Sequence, residues 1–583
     1  MSTDPLFQLA LEHHRAGRLR EAAGLYQEIL GCDPDHSDAL HMLGLILHQS
    51  GQLKAAADLI RRAVELDPKR AQYICDLGLV LAAAGRVEQA IVLYRQAAAL
   101  KPDYLQAHNN LGNALKRLGR LDEAIEALRN AVSLQPDYCE LLSNLANALK
   151  ERGDIDEAIE LFRKAVALGG GPQIVSNLLF AMHFHPRVGP QELFDEHKKW
   201  NERFARPLMR KPLMFENDRS GDRRLRVGYV SCDFRDHTLG RFILPLLANH
   251  DHRAFEVFCY NAARREDEMT QRLRSYANTW RNVVSLSDEQ LARQIRDDRI
   301  DILVDLSMHT DAARLLAFAR KPAPVQVTYL AYAGTTGLNA IDYRFTDSFI
   351  DPPDQDDRWY SEQSIRLQSY WCYEPPAEAL AVGPSPVQAN GFITLGCFNH
   401  ASKIGSASLE MWRELLSAVP RSRLILHSPR GSHRQRIAEF FGEAGVNSDR
   451  VEFVDRAPLS EYFQQYQRID IALDPFPYTG GATTCDALWM GVPVVSLSGA
   501  TAVSRGGASI LSHAGLPELI ASTPEDYVCI ATALAGDVQR LSELRASLRD
   551  RMRQSPLCDA KSFARSVDVA FRTMWSKWCN KQE

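Results

Sequence analysis

The sequence predicts an α-solenoid of helix–turn–helix repeats followed by an α/β region made of two doubly wound halves. Three observations predict it. A 34-residue step recurs through the first third of the chain. From residue 223 short apolar runs alternate with helical stretches. That rhythm stops in a Pro-rich stretch and then restarts.

The 34-residue step is carried by Gly17, Gly51, Gly85, Gly119 and Gly153, and by Ala22, Ala56, Ala90, Ala124 and Ala158. Pro34, Pro68, Pro102 and Pro136 keep the same interval. Each Gly suits a turn where positive φ costs least, each Ala lets two helices approach closely, and each Pro opens the next repeat. This is the period of tetratricopeptide repeats, about five of them over residues 1–168. Such repeats bury their faces only by stacking, which leaves a groove suited to a protein or peptide partner. Asn110 and Asn144 are 34 apart, as are Asn113 and Asn147. Their amides could hold a partner's backbone, or be ordinary polar groups of a helix surface.

"LGGGPQ" ends the register, and residues 169–222 read as capping and linking helices closed by a polar connector. In residues 223–380, strand candidates are 224–231, 255–262, 282–286, 300–307 and 324–331, with helical stretches between them. Continuous apolar runs of this kind suit buried parallel strands. After "EPPAEALAVGPSPVQANG" the pattern returns at 392–399, 422–428, 450–455, 470–475 and 493–499, and residues 391–583 finish in helical segments.

Bulk properties exclude several classes. With 68 basic and 73 acidic side chains the net charge is −5, so no basic field recruits nucleic acid or an anionic membrane. The 11 Cys form no CxxC pair and no zinc spacing, which suits a reducing compartment. The N-terminus has no basic start before an apolar core, and no run of about 18 apolar residues occurs. A cytoplasmic protein without a membrane span is expected. The oligomeric state is not legible.

"DPFPYTGGATTCDALWMGVPVV" (474–495) reads as strand end, Gly-rich turn, helix and second strand. Thr483 and Thr484 stand where the helix opens, a position that favours phosphate, and Asp486 could accept bonds from a ribose diol. The other reading is a Thr N-cap with an Asp complementing the helix dipole. Lys403, in "CFNHASKIGSASLEMW", follows a strand and precedes a helix, where it could offer a point charge to a diphosphate or simply face solvent. His237, in "VGYVSCDFRDHTLGRF", lies just past the first strand and heads a helix, where it could orient an acceptor hydroxyl, take its proton, or only cap the helix. His309-Thr310 and Gly334-Thr335-Thr336-Gly337 are further polar turns at strand ends. No P-loop, GxSxG or HExxH occurs, and "DQD" (354–356) is a chance-level match to a metal triplet.

Together the repeats, "KPAPVQVTYLAYAGTTG", "CFNHASKI" and "LDPFPYTGGATTCDALWMGVPVV" resemble the nucleocytoplasmic protein O-GlcNAc transferase family over nearly the whole chain. The resemblance implies a GT-B type region of two Rossmann-like lobes after the repeats, a UDP-GlcNAc donor, no metal or other cofactor, and Ser/Thr hydroxyls of a protein as acceptor. It implies that Lys403, Thr483 and Thr484 contact the diphosphate, Asp486 the ribose, Ala457 and Tyr462 the base, and that His400 touches the donor. It places His237 between donor and acceptor. Ala482 stands where those enzymes usually carry His, His400 replaces Gln or Asn, and "HTLGRF" lacks the Pro often found after the active-site His. The chain is also similar to SPINDLY-like protein O-fucosyltransferases, so GDP-fucose is the alternative donor. A repeat scaffold with a nucleotide-sensing α/β region is the alternative of another class.

Overall fold

A computed structural model describes residues 4–209, 215–353 and 357–580. They form two compact units, one of residues 4–152 with two short segments, 167–169 and 429–432, the other of the remaining described residues.

The first unit is built of antiparallel helix pairs: Asp4–Arg15 with Leu19–Cys32, Ser37–Gln49 with Leu53–Leu66, Ala71–Ala83 with Val87–Leu100, and Leu105–Arg117 with Leu121–Leu134. Cys139–Arg152 follows. The turn glycines have positive φ, +80° at Gly51 for example, as the repeat reading requires. A second glycine row sits where helices touch: a Cβ on Gly112 would lie 2.4 Å from Leu128 Cγ. Ala22, Ala56, Ala90 and Ala124 are fully buried, so the small residues of the period are the contact points of a stacked solenoid. The fifth second helix, Ile155–Ala167, falls almost wholly in the other unit.

In the second unit the helices Pro172–Met182 and Pro190–Trp200 precede two parallel sheets. The first contains β1 (Leu225–Ser231), β2 (Phe255–Asn261), β3 (Thr279–Asn282), β4 (Ile302–Asp305), β5 (Val325–Thr328), β6 (Tyr343–Thr346) and β7 (Gln363–Arg366), in the order β3-β2-β1-β4-β5-β6-β7. The second contains β8 (Thr394–Cys397), β9 (Arg423–His427), β10 (Val451–Val454), β11 (Ile471–Leu473), β12 (Val494–Leu497) and β13 (Ile520–Ala521), in the order β10-β9-β8-β11-β12-β13. Each sheet reverses strand order once, at β1/β4 and at β8/β11, and such points are where α/β sheets bind ligands.

Several expectations shift. The strand expected at 282–286 lies earlier, at Thr279–Asn282, because the preceding helix stops at Ser275. β6, β7 and β13 were not expected: β6 buries Arg344, β7 is a polar edge, and β13 has two residues. The segment 391–583 does not stay on one sheet. Its last helix, Ala560–Asn580, packs against the first-lobe helix Thr238–Asn249. Phe571 meets Phe255 and Phe345, and Asp568 Oδ1 lies 2.6 Å from His250 Nδ1. One apolar core therefore runs through both lobes. No helix of the described residues is long and apolar enough to cross a membrane.

Candidate active site

A cavity of about 290 Å³ is lined by residues from loops at the carboxyl ends of both sheets. The β1 loop supplies Asp233 and His237, the β4 loop Thr310, the β5 loop Tyr332, the β8 loop Asn399, His400 and Lys403, and the β11 loop Tyr478 to Thr483. The two switch points thus face one space.

Lys403 closes the short turn Ala401–Lys403 directly after β8. Its Nζ donates to the Thr479 carbonyl at 2.8 Å and stands 4.3 Å from the centroid of the Tyr478 ring. Burial brings the amine down to about 8, against the opposing pull of Asp474. One of its three N–H donors is engaged by the carbonyl.

The Gly-rich turn is shaped from behind by Asp474, the residue after β11. Its Oδ1 accepts from the Gly480 N–H at 2.8 Å and the Thr484 hydroxyl at 3.2 Å, and its Oδ2 from the Ser496 hydroxyl at 2.8 Å. Burial raises its carboxyl above the usual range. Glycine is required at 480, where a Cβ would meet Thr484 Oγ1 at 2.3 Å, and at 481, where it would meet the Trp371 ring at 2.9 Å. The helix Ala482–Trp489 has Gly481 as its N-cap and no side-chain cap. The Thr-cap alternative therefore does not hold: both threonines lie inside the first turn, and its N–H groups are left without a side-chain acceptor.

The two threonines separate. Thr483 lines the cavity and donates to Asn399 Oδ1 at 2.8 Å, whereas Thr484 is buried and bound to Asp474. Asp486 also turns away from the cavity. It is 1% exposed and accepts from Arg241 Nη2 at 2.7 Å, from Tyr373 OH at 2.7 Å and from Tyr462 OH at 3.2 Å. Burial alone would depress the Arg241 guanidinium, but the Asp486 charge raises it above the ordinary arginine range. The dipole-complement reading of Asp486 thus gives way to an ion pair between lobes. Ala457 lies in the loop after β10, and Tyr462, in helix Leu459–Gln465, also bonds Tyr466 OH at 2.6 Å; neither lines the cavity.

His237 caps the helix Thr238–Asn249, its Nδ1 accepting from the Leu239 N–H at 3.2 Å. Desolvation by the surrounding cleft lowers its pKa from the ordinary histidine value although 43% of the side chain is exposed, which favours the neutral ring. A neutral ring that accepts at Nδ1 carries its proton on Nε2 and presents a donor there. Asp233 Oδ2 is 3.8 Å from Nδ1, beyond hydrogen-bond distance. His400 is exposed on the cavity rim, Nδ1 2.9 Å from Ser402 Oγ.

Other candidates lie elsewhere. His309 is buried between Ser176 Oγ at 2.9 Å and the Thr336 carbonyl at 2.8 Å. Thr335 donates to Glu362 at 2.6 Å and the Thr336 N–H donates to it at 2.8 Å, so the 334–337 turn is a packed connection. Thr310 does reach the cavity. The "DQD" triplet lies outside the described residues. In the repeats, Asn144 donates to Asn109 Oδ1 at 2.8 Å, Asn147 to the Ser143 carbonyl at 3.0 Å, Asn113 to Asn109 at 3.4 Å, and Asn110 to Cys75 Sγ at 3.6 Å.

Sequence reasoning missed Asp233, Asn399, Tyr478 and Trp371 as cavity residues and Arg241 as the partner of Asp486. Asp233 and Arg241 stood in the same quoted stretch as His237, and nothing in their spacing separated them from ordinary surface charges. Trp371 packs over Gly481 and Gly506, and its indole Nε1 is buried without a hydrogen-bond partner.

A family profile described as Glycosyl transferase family 41 matches residues 202–371 and 388–567. Tetratricopeptide profiles match 7–71, 78–119 and 103–169. The chain is 39% identical over 413 residues to a protein of Hordeum vulgare named probable UDP-N-acetylglucosamine–peptide N-acetylglucosaminyltransferase SPINDLY, covering 69% of this chain and 44% of that protein. It is 31% identical over 396 residues to the Arabidopsis thaliana protein of the same description named SEC, covering 65% of this chain and 40% of that protein. The chain thus spans less than half the length of these relatives. Among solved structures, a mutant of the Thermobaculum terrenum O-GlcNAc transferase superposes with a TM-score of 0.82 at 37% identity, covering 87% of this chain and 98% of that one.

Proposed function

The chain belongs to glycosyl transferase family 41, and from that premise we propose that it is an inverting protein O-glycosyltransferase that moves GlcNAc from UDP-GlcNAc to Ser/Thr hydroxyls. One observation carries the reading: Lys403 and the uncapped first turn of helix Ala482–Trp489 face His237 across a single cavity. A cation and free N–H groups suit a departing diphosphate, and an imidazole donor opposite suits an acceptor hydroxyl.

In this reading the acceptor oxygen attacks the anomeric carbon, the bond from that carbon to the diphosphate oxygen breaks, and the hydroxyl proton passes to an oxygen of the departing diphosphate. Lys403, Thr483 and the first-turn N–H groups offset charge on the leaving diphosphate. His237, donating from Nε2, orients the acceptor rather than removing its proton. The base would lie toward Ala457 and Tyr462. A ribose diol reaches Asp486 only by exchanging with Tyr462 or Arg241, because those partners already engage the carboxylate. Thr484 would act on the diphosphate through its backbone, its hydroxyl being held by Asp474. His400 would meet the donor at the rim, and the repeat groove, with Asn110, Asn113, Asn144 and Asn147, would hold the acceptor chain. The working compartment would be the cytoplasm.

A second donor is kept because Ala482 brings only a methyl group to the cavity at the position discussed above. GDP-fucose is that alternative. The experiment offers purified protein UDP-GlcNAc and GDP-fucose separately, with a Ser/Thr peptide library, and measures nucleoside diphosphate release and peptide mass. Peptides heavier by one N-acetylhexosamine support the first reading. A deoxyhexose increment replaces it with the second, and no transfer with intact nucleotide binding points to a sensor.

A further inference from the structure

We propose that Phe184, in the turn after helix Pro172–Met182, is a positioning residue for Lys403, acting through the ring of Tyr478. The proposal rests on the diphosphate reading of Lys403 given above. In sequence Phe184 precedes both lobes, since β1 begins only at Leu225. Its side chain is nonetheless buried behind the cavity.

The geometry is a three-layer stack. The rings of Phe184 and Tyr478 lie 4.9 Å apart at 14°, near parallel. The Lys403 ammonium stands 4.3 Å from the centroid of the same tyrosine. A near-parallel ring fills one face, so the cation must take the other. Phe180 fixes the stack from the side, edge-on to Phe184 at 5.2 Å and to Tyr478 at 6.4 Å. Tyr478 lies two residues before Gly480, in the turn whose Thr479 carbonyl is the other partner of Lys403. Both groups that hold the ammonium therefore belong to one short segment, and Phe184 sets the tilt of that segment's ring.

The chemistry follows from the π face. An aromatic quadrupole attracts a cation and favours the charged amine. The amine here is buried, which works against charge. Removing the ring behind the tyrosine frees it to tilt away, and the ammonium then keeps the Thr479 carbonyl and the field of Asp474 but loses the π face. Packing in the connecting helical segment thus governs the point charge available to a diphosphate in the cavity.

The test is a double-mutant cycle read in the affinity of free UDP and free GDP by calorimetry, using the full chain. Phe184→Leu is expected to weaken binding about three- to tenfold, a part of what a desolvated cation–π contact contributes, because Tyr478 itself remains. Phe184→Tyr keeps the ring and should keep the affinity. Combined with Lys403→Met, Phe184→Leu should add less than about twofold to the loss from Lys403→Met alone, as expected when two residues act through one interaction. Losses that multiply, or wild-type affinity in Phe184→Leu, overturn the proposal. Should Phe184→Leu not fold, Tyr478→Leu removes the same stack from its middle, and the same cycle decides. If neither nucleotide binds wild-type protein, the diphosphate reading itself falls and the relay with it, an outcome told apart because the parent shows it.

Discussion

Arg241 Nη2 lies 2.7 Å from Asp486 Oδ1, so a residue of the first lobe and one of the second share a buried ion pair. Tyr373 and Tyr462 complete the carboxylate's bonds. Removing one partner from such a pair leaves an uncompensated charge, which costs about 3–5 kcal/mol. Arg241→Met should therefore lower the unfolding midpoint of the α/β unit in urea and weaken donor binding. Replacing both partners, Arg241→Met with Asp486→Leu, should recover much of the stability but not the binding. A double variant as unstable as Arg241→Met would contradict the pairing.

The amine of Lys403 loses its proton as pH rises through about 8, because burial favours the neutral form. Its contribution to diphosphate binding is present below that pH and disappears above it. The alkaline limb of kcat/KM should fall near pH 8, since that ratio reports the free enzyme. In kcat the same limb should lie at higher pH, because a bound diphosphate stabilises the ammonium. Lys403→Ala should abolish transfer while its far-UV spectrum and unfolding midpoint match the parent. Undiminished transfer would remove Lys403 from the mechanism.

Asp474 does not line the cavity itself but accepts from Gly480, which does, and from Thr484 and the β12 residue Ser496, so it holds the Gly-rich turn from behind. Asp474→Ala leaves those donors buried and unmatched, at about 1–3 kcal/mol each. The expected result is a lower melting point together with at least tenfold weaker nucleotide binding. Ser496→Ala removes one of the three and should give a fraction of both effects. Tight nucleotide binding in Asp474→Ala would show that the turn keeps its shape alone.

Asn144 in the repeats donates to Asn109 Oδ1 at 2.8 Å. Asn144→Ala should cost roughly 1 kcal/mol of repeat stability, the net worth of one such bond. If the groove also holds acceptor chains, this variant should raise KM for a protein acceptor several-fold and leave donor hydrolysis unchanged. Equal acceptor KM values would confine the asparagines to packing.

The repeats were legible because their signal is arithmetic. One 34-residue step fixes turn, contact and start positions together, and Gly51, Ala56 and Gly112 behave accordingly. Strands such as β1 and β9 were legible as apolar runs bounded by polar turns. β6 and β7 were not, because buried Arg344 and the edge residues Gln363 and Ser364 give no apolar run. At the site, Lys403, His237 and Thr483 could be placed because each follows a strand in sequence. Asp486 could not be resolved from its neighbours: its environment is set by Arg241, 245 residues earlier in the chain. Tyr478 and Trp371 were invisible for the same reason, since aromatic residues near a turn read equally as core or as cavity wall.

The helix Ala560–Asn580 that covers the first lobe has a consequence for synthesis. β7, the last strand of that lobe, leaves the ribosome roughly 200 residues before the helix does. At ~5–20 residues per second this is a delay of roughly 10–40 s. Until then Phe255 and Phe345 lack Phe571, the aromatic neighbour they meet in the finished protein. The repeats are translated before either lobe, and the first lobe waits for the second to be translated. Nascent chains released before residue 560 should carry an aggregation-prone first lobe, and should be the species that chaperones retain.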